Sequence, residues 1–265
     1  METLLGYKMK IRALQAAIGT TAVAVLGAAP LFAAPINYGD FIGSTVVFQS
    51  ITEDSITDPL PLYGAPTVIG DQLDFGPTAF GSFSTNGGAD ITDGLLRGSI
   101  TANDGYSLDS FSFTEFGDYT LLGGGGTAAT AAYIGQTFFV TITEVDGVAL
   151  GVNAFTVNAS SVFTSDGDFF LPDESGIAVP WSGSGSIDLA AALADRKADF
   201  PQITGNAVTG IEFTSNNTLV TTSESGTVAF IQKKDVQLSI VSIPEPASLS
   251  LIGLGASVLL RRRRV

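Results

Sequence analysis

Between residues 34 and 242 the chain is a succession of short Val-, Ile-, Phe-, Thr- and Tyr-rich runs, each cut off by Gly, Asn, Asp or Pro. Branched and aromatic side chains suit a pleated surface, and the breakers between them supply turns, so this texture constrains the fold strongly. Residues 111–114, Phe-Ser-Phe-Thr, alternate apolar and polar as a half-buried strand does. Residues 137–145 and 148–157 flank Asp146-Gly147, whose tolerance of positive φ suits a type I′ turn, and they predict a hairpin. Further strands are expected at 45–50, 71–75, 95–101, 119–122, 177–181, 210–214, 218–222, 227–232 and 236–240. Lys233-Lys234-Asp235 is expected to turn the chain between the last two. One segment departs from the pattern: residues 187–197 are rich in Ala and Leu, with Ser186 placed as an N-cap and Pro201 barring continuation. They predict a short helix lying across the sheets.

The expected fold is all-β: a two-sheet antiparallel sandwich, jelly-roll-like, with one short helix near 187–197. Phe111, Phe113, Phe138 and Phe155 are the expected core aromatics. A parallel β-helix is the alternative, but it needs a sustained short repeat and none is found. No period of 20–50 residues marks a solenoid or propeller either. The 34–242 segment is long enough for a single domain.

Both ends of the chain have a different character. Lys8, Lys10 and Arg12 precede a mostly apolar stretch to Phe32, followed by small residues. These are the three parts of a secretory signal peptide over residues 1–33, with cleavage expected between Ala33 and Ala34. Met9 opens a more usual signal and is a candidate true start. At the other end Pro244-Glu245-Pro246 leads into a mostly apolar run, residues 247–260, and then Arg261, Arg262, Arg263 and Arg264. Fourteen helical residues at about 1.5 Å each span roughly 21 Å, short of a hydrocarbon core of roughly 30 Å. Ile243 and snorkelling arginines narrow that gap. The arginines favour the cytoplasmic side and act as the membrane stop, leaving the prolines and the upstream chain outside.

This tail resembles the PEP-CTERM sorting signal of exported bacterial proteins, a segment that also goes by the name "ice-binding protein C-terminal" region. The resemblance is limited to about residues 243–265. It implies recognition and cleavage near Pro244, Glu245 and Pro246 by an exosortase, a membrane enzyme with a catalytic cysteine. It also implies a Gram-negative, exopolysaccharide-producing host, an inner-membrane-anchored precursor and a mature domain at the cell surface or outside the cell. Ice binding does not follow from the label, and nothing follows about the upstream domain.

Charge and missing residue types then exclude chemistry. The chain has no cysteine and no histidine. Disulfides, thiol nucleophiles, serine–histidine–aspartate hydrolysis and the usual catalytic zinc sites are therefore out. Residues 34–243 hold 24 acidic and 5 basic side chains, a net of −19. Such a surface repels a phosphate backbone, so nucleic acid is not an expected partner. No phosphate-cradling loop ends in Gly-Lys-Ser/Thr, and the glycines from Gly123 to Gly126 lack the strand–helix context of a dinucleotide site.

No catalytic residues or cofactors are assigned, and three functional classes stay open. The first is a non-catalytic surface or matrix protein mixed with extracellular polysaccharide. The second is a carbohydrate-binding module, for which Trp181, the only tryptophan, is the candidate sugar platform. The third is a glycan hydrolase running on paired carboxylates. Asp166, Asp168, Asp173 and Glu174 cluster in a turn-rich stretch and are candidate ligands for a structural calcium, though their spacing is not that of an EF-hand. Most other acids read as solvated surface.

Overall fold

A computed structural model describes residues 34–125 and 127–245. The strands are β1 (Ile36–Ile42), β2 (Val46–Asp54), β3 (Thr67–Ile69), β4 (Gln72–Phe75), β5 (Gly81–Thr85), β6 (Ala89–Ala102), β7 (Tyr106–Leu122), β8 (Ala131–Val145), β9 (Val148–Ala149), β10 (Phe155–Ser160), β11 (Val162–Phe163), β12 (Asp168–Phe170), β13 (Gly176–Asp188), β14 (Val208–Thr222) and β15 (Val228–Pro244). Two helices join them, α1 (Leu171–Glu174) and α2 (Leu189–Asp199). The expected signal helix, Ala33, Pro246 and the arginine stop fall outside the described residues. Among the described residues no helix is long and apolar enough to cross a membrane.

Two antiparallel sheets form a sandwich. The larger runs β1-β2-β6-β14-β8-β10, with β9 and β12 also on β8; the smaller runs β11-β13-β7-β15-β4-β3, with β5 also on β15. In chain order the six longest strands, β6, β7, β8, β13, β14 and β15, alternate between the sheets. Each therefore has one face on the core, and the sequence alternates accordingly. Inward rings from both sheets meet at the centre: Phe111 of β7 lies 5.6 Å from Phe138 of β8 and 5.5 Å from Phe213 of β14, centroid to centroid. All four expected core phenylalanines are buried.

Several local expectations need adjustment. The Asp146-Gly147 turn forms, both residues having positive φ (48° and 72°), but only Val148 and Ala149 pair directly after it. A 3-10 turn at Gly151–Asn153 then intervenes before β10 resumes the pairing with Phe155 opposite Ile142. The stretches 210–214 and 218–222 are one strand, β14, because Ser215, Asn216 and Asn217 stay in register with both neighbours. The helix starts two residues late: β13 runs on through Ser186, so Asp188, not Ser186, caps it by accepting the Ala191 N–H at 2.7 Å. Leu189 and Leu193, four apart, are its buried face.

The largest departure is at residues 233–235. They do not turn the chain; β15 continues through them with a register shift, a β-bulge, between Lys233 and Asp235. Ala229, Ile231 and Lys233 face inward before the bulge, and Val236, Leu238 and Ile240 after it. An extra residue is what lets both apolar half-strands point at one core despite opposite parity in the sequence.

Candidate functional site

Trp181 lies on the inward parity of β13 and is 2 % exposed. Its ring packs edge-on to Phe163 at 6.0 Å. It also fills the space where a Cβ on Gly117 would overlap it. The side chain is core, and a sugar has no access to either face. This overturns its expected role as a platform.

The four calcium candidates are not gathered. Asp166 sits in a left-handed turn with Ser165, Asp168 in β12, and Asp173 and Glu174 in α1. The oxygens of Glu174 are committed to the Ser165 hydroxyl (2.6 Å) and the Phe170 N–H (3.1 Å). Among the described residues no group of three or more acidic, histidine or cysteine side chains is placed to hold a metal.

The sorting tripeptide begins inside the sheet. Ile243 and Pro244 pair with Ser107 and Tyr106 of β7, and the Glu245 N–H donates to the Gly105 carbonyl at 2.9 Å. No linker separates the last strand from the first two residues of the motif.

The outer face of the larger sheet is the most developed surface. Outward positions of β6, β14, β8 and β10 line up in rows across the strands. Arg97, Thr214, Phe139 and Asn158 form one row, with Leu95, Asn216, Thr137 and Ser160 in the next. Asp93, Thr218 and Gly135 form a third, and Thr218 donates to Asp93 at 3.0 Å. Phe139 is 43 % exposed amid these hydroxyl and amide groups. Gly135 carries no side chain on the surface, and a Cβ there would meet nothing. The gap opens a hollow of about 360 Å³ edged by Thr137, Ser160, Asp166, Asn216 and Thr218. Tyr133 and Phe139 stand on either side of it along β8, six residues or about 20 Å apart. A second hollow, about 340 Å³, lies on the same face beside Arg97 and Glu212. Each hollow has a single carboxylate at its edge.

A different kind of site is sealed between the sheets. Glu115 of β7, Asn217 of β14 and Lys233 of β15 all sit on inward positions at 0–1 % exposure. The Lys233 ammonium contacts a Glu115 carboxylate oxygen and donates to the Asn217 Oδ1 at 2.7 Å. The Asn217 amide N–H donates to the other Glu115 oxygen. Lys233 Nζ is 5.1 Å from the centroid of the Phe80 ring and 5.5 Å from that of Trp181. Loss of water around Lys233 lowers its pKa, with Glu115 acting partly against that. Burial also pushes the nearby Tyr63 hydroxyl upward, with Glu115 adding to the effect. None of this was expected from sequence, although Glu115 and Lys233 each continue an apolar alternation on their strands.

Comparison with known proteins agrees with the tail. The family model for the PEP-CTERM protein-sorting motif matches residues 242–264. No curated protein matches the chain significantly. Among solved structures, the chain is similar to TmCBM61 in complex with β-1,4-galactotriose: 8% identity, 66% of this chain and 70% of that one, TM-score 0.18. It is also similar to the Emp47p carbohydrate recognition domain, at 14% identity over 70% and 94% of the two chains and a TM-score of 0.20. A third is the catalytic domain of Humicola grisea Cel12A with a soaked thio cellotetraose, at 9% identity over 79% and 99%, TM-score 0.19. At TM-scores this low the likenesses carry no argument.

Proposed function

We propose that the chain is the precursor of an exported, non-catalytic surface or matrix protein of a Gram-negative, exopolysaccharide-producing bacterium. The PEP-CTERM match at residues 242–264 carries this reading. Residues 1–33 direct export, 34–242 form the working jelly-roll-like sandwich, and 243–265 hold the precursor in the inner membrane for an exosortase-type protease. Glu245 is the recognition charge, and the two prolines keep the backbone extended for the enzyme. Arg261 to Arg264 stop the chain at the cytoplasmic side. Because Pro244 still pairs with β7, cleavage near the tripeptide releases the sandwich with almost no trailing segment. Fractionation of the native host with mass spectrometry of both termini tests location and both cuts. Glu245→Gln and deletion of residues 261–264 are each expected to accumulate uncut precursor; normal processing of both variants refutes the assigned roles.

A second reading, carbohydrate binding by the mature domain, is supported by one observation: an exposed aromatic ring, Phe139, set among rows of hydroxyl and amide groups. Affinity electrophoresis against the host's own polysaccharide tests it. Phe139→Ala and Asn216→Ala should both abolish retardation, and equal retardation of variant and wild type removes this reading while leaving the sorting proposal intact.

A further inference from the structure

We propose that Lys233 and Asn217 join in an intramolecular amide, formed by the folded protein itself with Glu115 as the proton-transferring group. The three side chains are inside a dry space walled by Phe80 and Trp181, and none is more than 1 % exposed. Lys233 Nζ lies 2.7 Å from Asn217 Oδ1, so the carboxamide carbon is the next atom beyond the contact. Glu115 touches both reactants, one oxygen on Nζ and the other on the amide nitrogen. Strand backbones in two sheets hold all three in place, which keeps nucleophile and electrophile in contact.

The chemistry balances without any outside reagent. Lys233 passes a proton to Glu115, leaving a neutral amine and a neutral carboxylic acid; without water around it, the separated charges gain little from persisting. The amine attacks Cγ of Asn217, and the acid donates toward Oδ1 as charge develops there. Glu115 relays the amine's proton to Nδ2, the Cγ–Nδ2 bond breaks, and ammonia leaves. One C–N bond replaces another, and nothing is oxidised or reduced.

The product ties β14 of the larger sheet to β15 of the smaller one, across the sandwich. A cysteine-free chain thereby acquires a cross-link that needs no oxidant, whereas a disulfide forms only in an oxidising compartment.

The chain's own protease sites give the test. Glu224 lies between Asn217 and Lys233, so denaturing digestion of the folded full-length protein with trypsin and a glutamate-specific protease separates the two residues unless they are bonded. The expected product is residues 213–224 and 225–234 travelling as one species, lighter than the pair by about 17 Da for lost ammonia, with no cut after Lys233. Glu115→Gln and Lys233→Arg should give two free fragments of full mass. Asn217→Asp should restore the joined species with loss of water, about 18 Da. Free fragments from folded wild type overturn the proposal, whether or not the variants fold. Joined fragments from a folded Glu115→Gln variant overturn the role of Glu115.

Discussion

Two adjacent acids on β2 should respond to the loss of charge to very different degrees. Glu53 is fully buried, and its carboxylate accepts three backbone N–H groups: Leu62 (2.9 Å) on one oxygen, Tyr63 (3.0 Å) and Gly64 (3.1 Å) on the other. Asp54 points outward to Arg97 at 3.0 Å, with the two side chains 25% and 45% exposed. In Glu53→Gln an NH₂ replaces one acceptor, so at least one buried N–H faces a donor, at about 1–3 kcal/mol. The remaining bonds lose their charge assistance, roughly halving each. The total is about 3–4 kcal/mol. For a domain of this size each kcal/mol moves Tm by about 2–4 °C, giving a fall of about 10 °C. Asp54→Asn removes the Arg97 pair while its amide oxygen can keep the Ser55 N–H, a cost of about 0–1 kcal/mol and at most about 3 °C. Scanning calorimetry of both variants decides the matter. If they melt within about 2 °C of each other, the inference that Glu53 closes the 55–66 loop onto the core is wrong.

Other perturbations follow from single contacts. Glu224 accepts from the Thr127 N–H and hydroxyl (2.5 and 3.0 Å), and these bonds hold its pKa below the ordinary 4.5. A depressed carboxylate contributes above its unfolded value and loses that contribution as pH falls through the folded one. Hence Glu224→Gln should melt below wild type at pH 7, with the gap shrinking under about pH 4; a gap that does not change with pH contradicts the assignment. Gly117→Ala places a Cβ against the Trp181 ring and the Gln232 carbonyl and should cost about 1–3 kcal/mol, read from denaturant unfolding with tryptophan fluorescence; a neutral result contradicts the close approach of ring and backbone at this position. Phe83→Ser, at a position 53 % exposed with the cross-strand Phe230 ring 6.5 Å away between centroids, should cost no more than about 1 kcal/mol. A loss well above that would contradict the half-exposed placement of the Phe83 ring.

How much of this was legible depends on whether the governing interaction is local. Strand positions were, because alternation within one run declares a face: Phe111 and Phe113 point inward from their own neighbours alone. Continued two residues further, the same parity puts Glu115 in the core, and Ala229–Ile231 does the same for Lys233. Each charge by itself is more at home in water, and Lys233-Lys234-Asp235 reads as a turn. What makes the inward placement tolerable is the partner, and Glu115 and Lys233 are 118 residues apart in sequence. Trp181 failed for a related reason. Its ring is admitted to the core by the missing side chain of Gly117, which stands opposite it on the neighbouring strand. A run of sequence reports its own face; it does not report which void or countercharge that face will meet. The sites here are made at such meetings: Phe139 gains neighbours from β10 and β14, and the buried trio draws one residue from each of three strands in two sheets. The bulge is the physical reason the last of these was hidden. It reverses parity at residues 233–235, so no single alternation spans β15, and a chain that breaks rhythm at two lysines and an aspartate resembles a turn until its pairing with β7 is known.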